Sequence, residues 1–198
     1  MIGIIHYKMG NITSVQNALD WLNVPAKIVT AADDLDSVSH IILPGVGAFP
    51  EGMKNLAEAG FVDAINRNVL SAKKPFLGIC LGMQLLATVG HEGETTQGLN
   101  LIPGTVERLP DSTVHVPHIG WNNIQIARAN SLIKTEADFY FVHSYYFQPT
   151  DSGDVIASAD YGINFSAAVN RGNIYGVQFH PEKSQAAGLE LLKNFSQL

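Results

Sequence analysis

Cys80 is the only cysteine in 198 residues. A single thiol cannot close an internal disulfide, which suits a reducing compartment, so a cytoplasmic location is expected. Cysteine and histidine form no cluster at zinc-ligand spacing, and no Gly-rich loop ends in Gly-Lys-Ser/Thr. No metal and no cofactor is therefore expected. Apolar runs are short as well. None approaches the ~18 residues of a membrane span, and Met1-Ile2-Gly3-Ile4-Ile5-His6 is apolar for too few residues to be a signal peptide. Charge is sparse at 15% and tilted to acid, with 12 basic against 18 acidic side chains. The longest basic run is the pair Lys73-Lys74, which argues against nucleic acid or an anionic membrane as the main partner. Repeats, linkers and low-complexity stretches are missing too. What remains is 46% hydrophobic, enough for one domain over residues 1–198 with a sizeable core.

The first half of the chain alternates between strand and helix patterns. Ile2–Ile5 is a short apolar strand, and Ser14–Leu22 places Val15, Ala18, Leu19 and Leu22 on one helical face. Strand character returns at Pro25–Thr30 and at His40–Leu43, which ends at Pro44. Helical stretches around Phe49–Ala59 and Phe61–Leu70 precede a strand at Pro75–Ile79 and a helix over Leu81–Leu86. The second half is richer in strands: Gly104–Arg108, Trp121–Ile126, Phe139–Val142, Asp154–Ala159, Asn164–Val169 and Asn173–Val177. Gln185–Leu198 reads as a closing helix, with Ala186, Leu189, Leu192 and Phe195 at three-residue steps. The fold class is α/β: an open, mainly parallel central sheet flanked by helices, with extra antiparallel strands in the second half. Sites in such sheets form outside the carboxyl ends of the strands. Pro44–Phe49, Cys80 and His180 all follow predicted strands.

Cys80 sits in Gly78-Ile79-Cys80-Leu81-Gly82, between a predicted strand and a predicted helix. A residue at such an elbow stands proud of the backbone, and glycines on both flanks let neighbouring main chain pass closely. The N–H groups opening the following helix favour thiolate, the reactive form of the side chain. His180 and Glu182 lie two residues apart in Gln178-Phe179-His180-Pro181-Glu182-Lys183. Positions i and i+2 of an extended segment share a side, and Pro181 between them restricts the backbone. Glu182 can then orient an imidazole that takes the proton of Cys80. The other histidines, His6, His40, His91, His115, His118 and His143, have no such neighbour and read as structural.

An elbow of the form Gly-x-Cys-x-Gly-x-Gln, followed about a hundred residues later by His-Pro-Glu, resembles the class I (triad) glutamine amidotransferases. The resemblance runs from end to end and is most specific for one branch, the glutaminase subunits of imidazole glycerol phosphate synthase. It is carried by Met9-Gly10-Asn11, Leu43-Pro44-Gly45-Val46-Gly47-Ala48-Phe49, Gly78–Gln84, Val116-Pro117-His118-Ile119-Gly120-Trp121-Asn122, Tyr140–Tyr146 and Gly176–Ser184. It implies the flavodoxin-like class I glutaminase fold. It also implies hydrolysis of L-glutamine to glutamate and ammonia through a thioester at Cys80. The oxyanion hole would be built from the Leu81 N–H and the Val46–Gly47 peptide, and Gly47, Gln84, Glu92 and Ser144 would contact the substrate. Read without the family, Glu92 also fits a solvated loop carboxylate, and Pro44–Gly47 fits an ordinary strand-to-helix turn better than a functional loop.

Ammonia in water is mostly ammonium at neutral pH, so a glutaminase is useful only beside an acceptor. The chain leaves no room for a second catalytic domain, and a partner is expected. The resemblance implies a (β/α)₈-barrel cyclase, in a heterodimer serving histidine biosynthesis, with Asn11, Trp121, Tyr140 and Lys183 facing it. One departure stands out. The family usually opens Asp-Tyr-Gly-x-Gly-Asn, whereas this chain reads His6-Tyr7-Lys8-Met9-Gly10-Asn11. Two other readings stay open: a paralogous glutaminase supplying ammonia for amidation of a surface-polysaccharide sugar, and a non-enzymatic regulatory protein on the same fold.

Overall fold

The short apolar runs of the first half pair in parallel in the computed structural model, which describes residues 1–198. The first half comprises β1 (Ile2–Ile5), α1 (Ile12–Trp21), β2 (Ala26–Val29), β3 (His40–Gly45), α2 (Phe49–Glu58), α3 (Phe61–Ile65), β4 (Phe76–Cys80) and α4 (Leu81–Gln84). After it come β5 (Val89–Gly90), β6 (Thr96–Gln97), β7 (Gly104–Arg108), β8 (His118–Asn123), β9 (Gln125–Ile126), β10 (Asp138–His143) and β11 (Tyr145–Pro149). The last elements are β12 (Val155–Asp160), β13 (Asn164–Arg171), β14 (Ile174–Val177) and α5 (Gln185–Phe195). The main sheet has the order β2-β1-β3-β4-β14-β13-β12-β9. It is parallel from β2 to β14 and antiparallel beyond. A β10-β8 ribbon and a β11-β7-β5-β6 sheet stand apart from it.

Strand alternation sorts the apolar residues onto two faces. Ile2, Ile4, Ile42, Leu77 and Ile79 join Val15 and Leu19 of α1 and Leu192 and Phe195 of α5 in one core. Ile5, Ile41, Leu43 and Phe76 join Phe49 and Leu56 of α2 and Phe61 and Ile65 of α3 in the other. Both faces are covered, as near-continuous apolar strands require.

The strand and helix pattern expected of the first half is present, with shifted ends. β3 runs two residues further than its expected end at Leu43, through Pro44 and Gly45. Its pairing with β1 stops at Ile42 while that with β4 continues to Gly45, so the missing N–H of Pro44 breaks no ladder with β1. α3 passes at Asn66 into a wider turn whose last N–H, of Ala72, reaches back five residues to Arg67. The elbow helix, expected to reach Leu86, ends at Gln84. The carbonyls of Leu85, Leu86 and Ala87 accept from Leu99, Asn100, Leu101 and Ile102, which leaves them nothing to offer a further helical turn. Trp121–Ile126 is two strands rather than one, β8 pairing with β10 and β9 with β12. β5, β6 and β11 were not anticipated.

Candidate active site

The elbow is built as tightly as its glycines imply. A Cβ on Gly82 would strike the carbonyl of Leu43, and one on Gly78 would strike the carbonyl of Gly82. Held between them, Cys80 has φ +53° and ψ −108°, a backbone state costly for a non-glycine residue and found where function requires it. Its sulfur lies 3.8 Å from the Val142 carbonyl and 3.7 Å from Nε2 of Gln178.

β14 ends at Val177 and the chain bends at Gln178 and Phe179. His180 then caps a single 3₁₀ turn over Pro181–Lys183, so it is this turn, not the extended segment expected from the sequence, that brings Glu182 back to the His180 ring. Glu182 Oε1 lies 2.8 Å from His180 Nδ1, with both side chains 2% exposed. Nδ1 therefore donates to Glu182, and the buried Nε2 is turned inward. Burial works against the imidazolium. Hydrogen bonding to Cys80 and Glu182, together with their negative charges, outweighs it and raises His180 to about 10. Tyr7 packs on the same centre with its hydroxyl buried and unpartnered, and burial and the Cys80 charge both push its phenol up.

Cys80 opens into a cavity of about 450 Å³. Val46, Gly47 and Leu81 line it, as do Gln84, Glu92 and Ser144, so all the residues expected for the oxyanion and the substrate meet here. No backbone hydrogen bond ties the N–H of Val46 or Gly47. Gly47 has φ +105°, a value that L side chains rarely adopt, and Val46 is 40% exposed. Glu92 is not a free loop carboxylate. Its Oε2 accepts from the first N–H of α2, that of Phe49, at 2.7 Å, a helix end with no side-chain cap of its own. Gln84, 5% exposed, donates from Nε2 to the Tyr145 carbonyl at 2.8 Å and to Gln178 Oε1 at 3.2 Å.

Three of the four expected interface residues cluster. Trp121 and Tyr140 are register partners in the β8–β10 ribbon with ring centroids 6.0 Å apart, and Lys183 Nζ stands 5.9 Å from the Tyr140 ring. Trp121 is 49% exposed and its neighbour Ile119 60%. Asn11 lies on another element and is engaged as the N-cap of α1, accepting from Ser14 N at 3.4 Å. At Lys8 the backbone has φ +67°, so the lysine occupies a left-handed position where the resembled family carries glycine.

Sequence reasoning missed Gln178, Pro117, His143 and Tyr145. His143 lines the cavity, donates from Nδ1 to the Tyr145 carbonyl at 2.9 Å and accepts from His118 Nδ1 at 3.0 Å. Burial holds it neutral, lowering its pKa to about 3. All four lie in segments that carry the family resemblance, Val116–Asn122, Tyr140–Tyr146 and Gly176–Ser184, but nothing in their local pattern assigns them a place at the cavity.

Residues 4–197 match the family described as class I glutamine amidotransferase. Over 200 residues the chain is 48% identical to an imidazole glycerol phosphate synthase subunit HisH of Moorella thermoacetica, covering all of this chain and 94% of that one. It is 46% identical over 205 residues to the HisH subunit of Leptospira interrogans, with both chains covered in full. A crystal structure of a glutamine amidotransferase superposes with a TM-score of 0.79 at 21% identity, covering 99% of this chain and 97% of that one. The structure of PurLQS from Thermotoga maritima does so with the same score and coverage at 18% identity. At such identities the likeness is one of fold.

Proposed function

The chain belongs to the class I glutamine amidotransferase family, and we infer that it serves as the glutaminase subunit of imidazole glycerol phosphate synthase, with Cys80 as its nucleophile. The observation that carries this reading is the meeting of a strained cysteine and a buried His180–Glu182 pair at the floor of a cavity lined by the expected substrate residues. His180 takes the thiol proton, and the thiolate attacks the side-chain amide carbon of glutamine. The N–H groups of Leu81 and of the Val46–Gly47 peptide receive the developing oxyanion. As the intermediate collapses, His180 protonates the leaving nitrogen, ammonia departs, and a glutamyl thioester remains. Water activated by His180 then releases glutamate. Glu92 has one oxygen on α2 and turns its charge to the substrate ammonium. Both donor bonds of Gln84 go to protein, so its oxygen is the atom it offers the substrate.

Ammonia leaves for a (β/α)₈-barrel cyclase docked on the exposed Ile119–Trp121–Tyr140–Lys183 face. Reconstitution with that partner tests the assignment. Cys80→Ala should abolish glutamine-dependent synthesis and leave synthesis from added ammonium salts at high pH. Glutamine hydrolysis persisting in the mutant complex would overturn the reading.

A further inference from the structure

Behind the nucleophile, a backbone carbonyl and two side-chain amides form a ladder whose direction is not free to reverse. The Tyr145 carbonyl can only accept. Gln84 must therefore turn its nitrogen toward it, at 2.8 Å, and cannot be flipped. The same nitrogen donates to Gln178 at 3.2 Å, so Gln178 presents its oxygen to Gln84. Its own nitrogen must then face the other way, and it lies 3.7 Å from Cys80 Sγ. Gln178 has no exposure, and its backbone N–H is bonded to the Ala167 carbonyl at 2.8 Å. Neither its main chain nor its amide can turn away.

A primary amide fixed as a donor toward a neutral thiol gains little, because neutral sulfur is a weak acceptor. Toward a thiolate it makes a charge-assisted bond of the stronger kind. We propose that Gln178 belongs to the catalytic machinery, donating a hydrogen bond to the Cys80 sulfur whenever that sulfur carries negative charge. The inference rests on Cys80 being the glutaminase nucleophile. In the first half-reaction the C–S bond forms from a sulfur lone pair, and the Gln178 bond weakens as the charge moves to the oxyanion. In the second, water has added to the thioester. The C–S bond breaks, and its electron pair returns to a sulfur that Gln178 already faces. The Val142 carbonyl at 3.8 Å is the acceptor for the thiol proton in the uncharged form.

The other titratable groups around this sulfur are His180 with Glu182 beyond β14, Tyr7 beyond β1, His143 on β10 and Glu92 across the cavity. All are retained in the variants that test the proposal. The experiment is the pH dependence of iodoacetamide alkylation of the full chain, whose one thiol makes the readout unambiguous. Gln178→Met keeps bulk and removes the donor. Its alkylation midpoint should rise by roughly one to two pH units, the size of one hydrogen bond to a charged group. Gln178→Glu, which can still accept from Gln84 but sets a carboxylate at the sulfur, should rise at least as far. Midpoints equal to the native one in folded variants overturn the proposal. Should either variant fail to fold, the Gln178 side-chain amide resonance of the native protein decides. It should shift with the alkylation midpoint, and a resonance flat across the titration overturns the proposal. An inactive Cys80→Ala complex together with unmoved midpoints removes this inference alone, whereas an active one removes the glutaminase reading beneath it.

Discussion

At the scale of single residues, the proposed mechanism gives His180 and Glu182 unequal tasks. The imidazole is needed twice, once to take the thiol proton and once to activate water, while the carboxylate fixes its tautomer and balances its charge. His180→Asn should therefore cut glutamine turnover nearly as far as loss of Cys80. Glu182→Gln keeps an acceptor oxygen for Nδ1–H and should retain measurable activity. Turnover of the two variants in the reconstituted complex, with folding checked by melting, is the measurement. A Glu182 variant worse than the His180 variant would reverse the two roles. These residues were legible in the chain because their relation is local: glycines two before and two after Cys80, a carboxylate two after His180. Gln178 and Tyr145 were not, since what they do depends on a side chain 94 residues away in one case and a backbone carbonyl in the other.

At the scale of elements, the β8–β10 ribbon carries a buried pair of neutral histidines. His118 donates to His143, and His143 donates to the Tyr145 carbonyl, so His143 cannot take a second proton without breaking a bond, and His118 can do so only by giving up the contact of its Nε2 with Asn122 Nδ2 at 3.5 Å. His118 stacks on Tyr161 at 3.9 Å, and burial lowers its pKa as it lowers that of His143. The sign follows from the unfolded reference near 6.5. Above that pH both states hold these rings neutral and the native state loses nothing. As pH falls below it the unfolded chain binds protons that native His143, at about 3, refuses, and stability drops. By pH 5 His143 alone costs about 2 kcal/mol, or ~4–8 °C in Tm for a chain of this size. His143→Asn retains a donor near Nδ1 but does not titrate. Its Tm should be lower at pH 7 and fall less steeply between pH 7 and 5, as melting curves at both pH values will show. Parallel slopes would mean the pair is protonated in the native state. Period and composition marked β8 and β10 as strands but could not show that they leave the main sheet. A run such as Trp121–Ile126 reads as one strand, because alternation says which residues share a face and nothing about which strand lies alongside. The two-residue strands β5 and β6 are too short to have a period at all.

At the scale of the whole molecule, the proposed docking face and the proposed catalytic centre are tied together by three hydrogen bonds. The backbone N–H of His180 donates to the Tyr140 carbonyl at 2.9 Å, and the Tyr140 N–H donates to Ser184 Oγ at 3.0 Å, which in turn donates to the His180 carbonyl at 2.6 Å. A partner that seats on Trp121 and Tyr140 therefore presses on the segment that holds the base. Across the cavity the Val46–Gly47 peptide has no backbone hydrogen bond to hold it, and Gly47 lies at a φ from which rotation is cheap. A glutaminase that ran without an acceptor would waste its substrate, so the resting peptide should hold its N–H away from the oxyanion position. Partner and acceptor would then shift it to the donating orientation. One oxyanion donor is worth ~10²–10³ in turnover, enough for such a shift to act as a switch. Glutamine hydrolysis should accordingly be slow in the chain alone and faster in the complex. It should be fastest in the complex with an acceptor analogue, with about that factor between the extremes. Gly47→Pro cannot adopt φ +105° and has no N–H to donate, so its rate should stay low in all three states. Equal native rates in the three states would eliminate the switch and leave the triad standing. A Gly47→Pro complex that still responded to acceptor would place the switch in the Tyr140–His180 contact instead.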